Sequence, residues 1–277
     1  GVAGVVAGSD TYPGAGLLTT FAASNTGVGM VRLNSTRRVE DLVLHYAPGV
    51  VTVGGRIQSG VIGPGCTNER YEDCRELAQF CIDSKLPLVI DAGALDLVKG
   101  LRDYADAQSR SLSRTILTPH HGEAARLLTQ LGSPRSRADI DADPAASAKE
   151  LALLTGAVIL LKSATTVCSY LHHDQGSRTQ EIVSIPQETP WAGVAGSGDV
   201  LAGAVAGIAA GFQARAERRQ GNPSISEAEC ATLASLGAWV HAQAAFRAGA
   251  GSQGHAHPIQ AIDIARALPE IIGELCS

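Results

Sequence analysis

The sequence predicts an α/β fold in which a largely parallel central sheet is covered by helices on both faces. Three observations carry this. Short aliphatic runs alternate with stretches of helical periodicity along almost the whole chain, the pattern of right-handed βαβ crossovers. The composition is 45% hydrophobic but only 4% aromatic, with 31 Gly, so the core is built from aliphatic side chains and close backbone approach. The length, 277 residues, suits one α/β domain, and residues 1–277 are read as one.

The elements follow in order. Val2–Ala7 is an aliphatic run, and Pro13–Asn25 reads as a helix with Pro in its first turn. Gly29–Leu33 and Val50–Val53 are extended candidates, and Val61-Ile62 is a further apolar run. Arg70–Asp83 is helical, Pro87–Ile90 a buried strand, and Thr115–Leu117 another before a helix around Glu123–Leu131. Ala145–Thr155 is helical. Val158–Leu161, Val167–Leu171 and Ile182–Ile185 follow as strands, the last two consecutive, so that part of the sheet is expected to be antiparallel. Val200–Gly211 forms a helix after a Gly-rich turn. Ser226-Glu227-Ala228-Glu229 has the S-x-x-E form of a capping box and opens a helix to about Arg247, and Ile259–Leu275 closes the chain. Gly132–Asp143 and Ala214–Ser224 read as surface excursions.

Several function classes are excluded at once. With 22 Lys+Arg against 27 Asp+Glu the net charge is −5, and with few aromatics the chain has neither the basic surface nor the stacking platform of a nucleic-acid binder. No basic region precedes an apolar run at the N-terminus, so no secretory signal is read. Val200–Phe212 is shorter than the roughly twenty residues a membrane span needs, and Asp199 stands at its start. Gly203, Gly207 and Gly211 recur there at the spacing of a closely packed helix. A soluble, cytoplasmic protein is expected, with no membrane partner. The six cysteines form no C-x-x-C pair, and Cys74 and Cys81, on one helix face, read as reduced core residues.

In a parallel α/β sheet the ligand crevice lies beyond the carboxyl ends of the strands. The residues leaving each apolar run are small or polar: Gly8-Ser9-Asp10, Gly63-Pro64-Gly65, Asp91-Ala92-Gly93, Thr118-Pro119-His120-His121-Gly122-Glu123 and Lys162-Ser163-Ala164-Thr165-Thr166. The strongest local signal is Ala195-Gly196-Ser197-Gly198-Asp199. Small residues there uncover the amides at a helix start, where unpaired N–H groups and the positive dipole end cradle phosphate. Asp199 beside that cradle suits a base that takes a proton from a hydroxyl attacking phosphorus. The other reading is an ordinary Gly-rich turn with Asp199 as helix cap. Neither the P-loop pattern nor a G-x-G-x-x-G helix opening is present.

Taken in order, Gly8-Ser9 through Tyr12-Pro13-Gly14-Ala15, Gly63-Pro64-Gly65, Asp91-Ala92-Gly93-Ala94-Leu95, Leu117 to Glu123, Leu161 to Val167 and Gly196 to Gly203 resemble the ADP/ATP-dependent NAD(P)H-hydrate dehydratases, from near residue 1 to about residue 245. The resemblance implies a ribokinase-like fold and a lyase that uses an adenine nucleotide to return (S)-NADHX or (S)-NADPHX to NADH or NADPH. ADP is the expected co-substrate, giving AMP and phosphate, with ATP the alternative; Mg2+ is the expected ion and a homotetramer the expected assembly. It implies that Ala15, Gly65, His120 and Asp199 contact the hydrated nicotinamide nucleotide. Lys162, Ser163, Ala164, Thr165, Thr166 and Gly198 would hold the adenine nucleotide, and Asp199 would activate the ring hydroxyl. The chain opens directly on a strand where relatives carry an upstream segment, so a preceding portion is expected, with a fused epimerase domain left open.

The chain departs from the family pattern at His121, where a Pro is usual, at Ser163 in place of a Gly, and at Ala195-Gly196-Ser197, which keeps a hydroxyl and loses a Gly. Glu123 opens a helix and serves either its dipole or the organisation of magnesium. His172-His173 reads as a hairpin turn, His255 and His257 as solvated, and Trp191 as a wall of the site or a cover of the core. The competing function is a kinase of the hydroxymethylpyrimidine or hydroxyethylthiazole kind; a silent nucleotide-binding module is the third reading.

Overall fold

The computed structural model describes residues 1–174, 177–219, 224–251 and 255–277. Eight strands form one sheet: β1 (Val2–Val6), β2 (Met30–Asn34), β3 (Ser59–Ile62), β4 (Leu88–Ile90), β5 (Thr115–Leu117), β6 (Val158–Leu161), β7 (Thr165–Asp174) and β8 (Ser177–Pro186). Their order is β2-β1-β3-β4-β5-β6-β7-β8. All pairs from β2 to β6 are parallel, and β6-β7-β8 are antiparallel, as the consecutive apolar runs predicted.

Successive residues of each strand feed two cores, because side chains alternate across a sheet. Val5, Val61, Val89 and Ile116 face α1 (Pro13–Ser24), α2 (Arg37–Tyr46), α8 (Ser197–Ala216), α9 (Glu227–Gly249) and α10 (Ala261–Cys276). Val6, Ile62, Ile90 and Leu117 face α3 (Tyr71–Asp83), α4 (Val98–Ala107), α5 (His121–Gln130), α6 (Arg137–Ala142) and α7 (Pro144–Thr155). Both faces are therefore covered, and the functional groups are left at the strand ends. The glycine stripe of α8 meets α1: a Cβ at Gly203 would strike the Thr19 carbonyl and one at Gly207 the Ala23 carbonyl, while Gly211 faces open space. No helix among the described residues is long and apolar enough to cross a membrane.

Three helices went unread in the sequence. Val39 and Val43 on α2, and Val98, Leu101 and Ala105 on α4, are thin apolar stripes among charged neighbours. The helix α6 lies inside the supposed excursion 132–143, anchored by buried Ile140 and a Ser136–Asp139 capping box. Val50–Val53 is not a strand; Val51 alone bridges Arg32. The β7–β8 hairpin is longer than its apolar runs, since pairing extends through polar residues to the sheet edge. His172 and His173 are in that strand and not in a turn, and the turn at 175–176 lies outside the described residues. The helix α8 runs to Ala216, into the second supposed excursion, of which 220–223 lie outside the described residues. His255 and His257 are exposed, and Trp191 is partly exposed in a short 3-10 turn against Gly249. Cys66, Cys74, Cys81, Cys168 and Cys230 are free and buried, and Cys276 is free and exposed.

Candidate active site

The carboxyl ends of β4, β5 and β6 bring three charged side chains together. Asp91 leaves β4 directly, with its side chain only 2% exposed. Lys162 leaves β6, where its amide bonds the Pro119 carbonyl and its backbone bridges that of His120. Its Nζ donates to Asp91 Oδ1 at 2.6 Å and lies 3.8 Å from Glu123 Oε2. Burial opposes the lysine charge, but the facing carboxylates of Asp91 and Glu123 more than compensate and hold its pKa above the ordinary value. The ammonium stays charged.

His120 is the N-cap of α5. Its Nδ1 accepts the amides of Gly122 and Glu123, at 3.0 and 3.3 Å, and Glu123 Oε2 accepts the His120 amide at 2.8 Å. This reciprocal cap fixes the ring tautomer: Nδ1 is an acceptor, so the neutral ring carries its proton on Nε2. Burial, aided by Lys162, lowers the pKa of His120 despite the nearby Glu123, which favours that neutral form. Nε2 lies 3.6 Å from Glu123 Oε1 on a side chain that is 58% exposed.

Opposite Lys162 stands the amino end of α8. Gly196, left-handed at φ 88°, occupies the N-cap, and no side chain caps the helix, which removes the reading of Asp199 as a cap. The amides of Gly198 and Asp199 make no hydrogen bond among the described residues. A Cβ on Gly198 would sit 3.1 Å from Lys162 Nζ, so its absence brings the ammonium against the free amides. Asp199 makes no hydrogen bond and no ion pair among the described residues. Burial, and then the negative charge of Asp91, raise its carboxyl pKa to about 7, with Lys162 pulling the other way. Such a carboxylate exchanges a proton near neutral pH.

A second corner is made of small residues. Gly65, at φ +65°, would place a Cβ 2.6 Å from the Ala15 Cβ and 2.9 Å from the Tyr12 carbonyl. Pro64 anchors the corner by accepting the Gly8 amide at 2.7 Å. One turn along α1 from Ala15, Leu18 packs where a Cβ of Gly196 would be, tying this corner to the α8 turn.

The structure thus gathers His120, Glu123, Lys162, Gly198 and Asp199, and separately Ala15 with Gly65. Ser163 bonds within the β6–β7 turn, its Oγ donating to the Thr165 carbonyl at 2.7 Å. Ala164 and Thr165 are exposed and Thr166 is buried in β7. Sequence reasoning gave Asp91 no role; its only signal was an acid directly after a buried strand. It also passed over His241, in the middle of α9, whose Nε2 lies 3.1 Å from Ser197 Oγ and 3.0 Å from the Ser197 carbonyl. His121 pairs through Nδ1 with Asp141 of α6, and its buried Nε2 has no partner. Among the described residues no three His, Cys, Asp or Glu side chains converge as metal ligands, and Lys162 already occupies the space between Asp91 and Glu123. The described residues alone form no cage for a magnesium ion.

The family model described as NAD(P)H-hydrate dehydratase matches residues 3–265. This chain belongs to the NAD(P)H-hydrate dehydratase family. The bifunctional NAD(P)H-hydrate repair enzyme of Mycobacterium tuberculosis is 37% identical over 215 residues, covering 76% of this chain and 41% of that one. That of Corynebacterium glutamicum is 33% identical over 278 residues, covering 97% and 46%. The chain therefore spans under half the length of these curated relatives. Among solved structures, the ADP/ATP-dependent NAD(P)H-hydrate dehydratase from Bacillus subtilis, co-crystallised with ATP and Mg2+, aligns at TM-score 0.71 and 23% identity over 99% of this chain and 92% of that one. A ribokinase-like protein from Enterococcus faecalis aligns at 0.68 and 21%, covering 99% and 87%; the fold is ribokinase-like. A hydroxyethylthiazole kinase from Pyrococcus horikoshii also shares it, at 0.54 and 15%, covering 97% and 87%, so fold alone does not separate dehydratase from kinase.

Proposed function

We propose that this chain dehydrates (S)-NADHX and (S)-NADPHX to NADH and NADPH at the expense of ADP or ATP. Asp199 carries the reading: a partly buried carboxylate, tuned to about 7, beside unpaired helix amides and the Lys162 ammonium. Family membership is the second support. In this reading the hydrated nicotinamide lies over Ala15, Gly65 and His120. Lys162 to Thr166 and Gly198 hold the adenine nucleotide.

Asp199 takes the proton of the ring hydroxyl while its oxygen attacks the terminal phosphorus. The bond to the leaving phosphate breaks, and the amides of Gly198 and Asp199, with Lys162, receive the charge that develops on the phosphoryl oxygens. The ring C–O bond to the phosphate then breaks, the adjacent ring carbon gives up a proton, and the double bond that forms restores the dihydropyridine. ADP gives AMP and phosphate. Magnesium bound to the nucleotide would neutralise phosphate charge; Glu123 shapes the site through His120 and Lys162.

Residues 1–277 act as one domain in this reading, in the cytoplasm and as a homotetramer. The partly exposed Trp239 and exposed Phe246 on α9 supply apolar surface for assembly. Light scattering at micromolar concentration tests that, and a monomer would contradict it. The deciding assay is purified protein with hydrated cofactor, magnesium, and ADP or ATP in parallel. A gain of dihydronicotinamide absorbance, greater with ADP, is expected; a stable phosphorylated product would replace this reading by the kinase one.

A further inference from the structure

His241 stands on α9, buried at 5% exposure, and one atom of its ring meets two atoms of a single residue. Nε2 lies 3.0 Å from the carbonyl of Ser197 and 3.1 Å from its hydroxyl oxygen. A carbonyl oxygen can only accept, so Nε2 carries the proton and the ring donates. The opposite tautomer would set the nitrogen lone pair against the carbonyl lone pairs at the same distance. With Nε2–H shared between the two oxygens, the hydroxyl proton of Ser197 is not needed by His241. It has no other acceptor among the described residues, although Ser197 is only 8% exposed.

Ser197 is the first residue of α8, directly before the free amides of Gly198 and Asp199. A buried hydroxyl held at its oxygen, with its proton unclaimed, points to an acceptor at that helix end. Burial keeps the ring neutral by pushing its pKa down to about 4, and the Lys162 charge acts in the same direction. A protonated ring would keep the same donor at Nε2 but bury a charge near that ammonium.

We propose that His241 is a positioning residue that locks the Ser197 hydroxyl as a hydrogen-bond donor to the phosphoryl oxygens received at the amino end of α8. This rests on the reading of that helix end as the nucleotide-phosphate site. Ser197 adds a neutral donor to the two amides and Lys162, and His241 sets its direction without touching the ligand.

The test uses the whole chain in two parts. Nitrogen-15 spectra of the histidine rings read the tautomer without any ligand: His241 is expected neutral and protonated on Nε2 from pH 8 to pH 5. A ring protonated on Nδ1, or one that titrates at the ordinary histidine value, overturns the proposal. Calorimetry with ADP and ATP, together with turnover, then compares Ser197→Ala, His241→Phe and His241→Gln. Loss of one donor to a charged phosphate is expected to weaken binding of nucleotide or transition state by about tenfold to a hundredfold in the first two. Gln, whose amide nitrogen reaches the place of Nε2, is expected to restore most of it. The double variant Ser197→Ala/His241→Phe is expected to be no worse than Ser197→Ala alone, because the two act as one unit. Additive losses, or a Gln variant as poor as Phe despite an unchanged melting temperature, would reduce His241 to packing and overturn the proposal. A parent protein that binds neither nucleotide overturns the proposed function itself, and this proposal with it; a parent that binds both, alongside an unaffected Ser197→Ala, overturns this proposal alone.

Discussion

The two corners of the site are built on opposite physical terms. Around Lys162 the chain concentrates charge, with Asp91, Glu123 and Asp199 within each other's fields and an ammonium against the α8 amides. Around Gly65 it removes side chains, so that Ala15, Gly65 and the Tyr12 carbonyl close up. The first corner works through ionisation and responds to protons. The second works through excluded volume and responds to methyl groups. A substitution that is mild at one should be severe at the other.

The largest expected effect tests the charged corner. Asp199→Asn keeps shape but cannot take a proton, and loss of a general base costs about 10²–10⁴-fold in rate. Nucleotide affinity should be kept or improved, since a negative charge leaves the proposed phosphate site. Steady-state kinetics and calorimetry on one preparation decide it; turnover within a few-fold of the parent would break the contrast. Next comes Lys162→Met, which leaves the buried Asp91 carboxylate without its 2.6 Å partner. Removing one side of such a pair costs about 3–5 kcal/mol, read by urea unfolding. Adding Asp91→Asn should recover much of that stability and none of the activity.

The small-residue corner gives the third expectation. Gly65→Ala combines a left-handed backbone with a Cβ 2.6 Å from that of Ala15, at a cost of about 1–3 kcal/mol. Its melting temperature should fall and the KM for hydrated cofactor should rise, with no change in the pH profile. A shifted pH profile there would mean that the two corners are not separate. The smallest effect is on stability against pH. The folded Asp199 holds its proton up to about 7, above an unfolded carboxyl, so the native state binds the extra proton between them. The parent should therefore lose stability as pH rises from about 4 through 7. Asp199→Asn should be the more stable protein at pH 8, with the difference vanishing towards pH 4, while parental kcat/KM rises through about 7. Melting curves at several pH values check the sign.

Much of this was legible because strand exits in a parallel sheet are marked by abrupt changes of residue type. His120, Lys162 and Asp199 each follow an aliphatic run or a glycine turn, and that place puts them at the rim where a parallel sheet takes its ligand. Asp91 was equally visible yet mute, since nothing in one sequence says that Lys162, on a strand two places away in the sheet, will meet it. His241 was hidden more deeply, inside a helix with no local signal beyond a histidine among alanines. The unread helices α2 and α4 show the same limit: two or three apolar residues suffice only when a neighbouring element covers them.

The sequence by itself determined the alternation of elements, the mixed sheet, the Gly-rich turn that opens α8 and the family. These depend on local periodicity and on residues adjacent in the chain. The tertiary structure decided which charges meet, and hence that Lys162 stays charged, that Asp199 ionises near neutrality, and that the described residues form no cage for magnesium. It also decided what the α8 glycines pack against, because Gly203 and Gly207 press on the carbonyls of α1 while Gly211 faces open space. A pKa or a steric contact is a property of neighbours in space, set by burial and by charges from strands far apart in the chain.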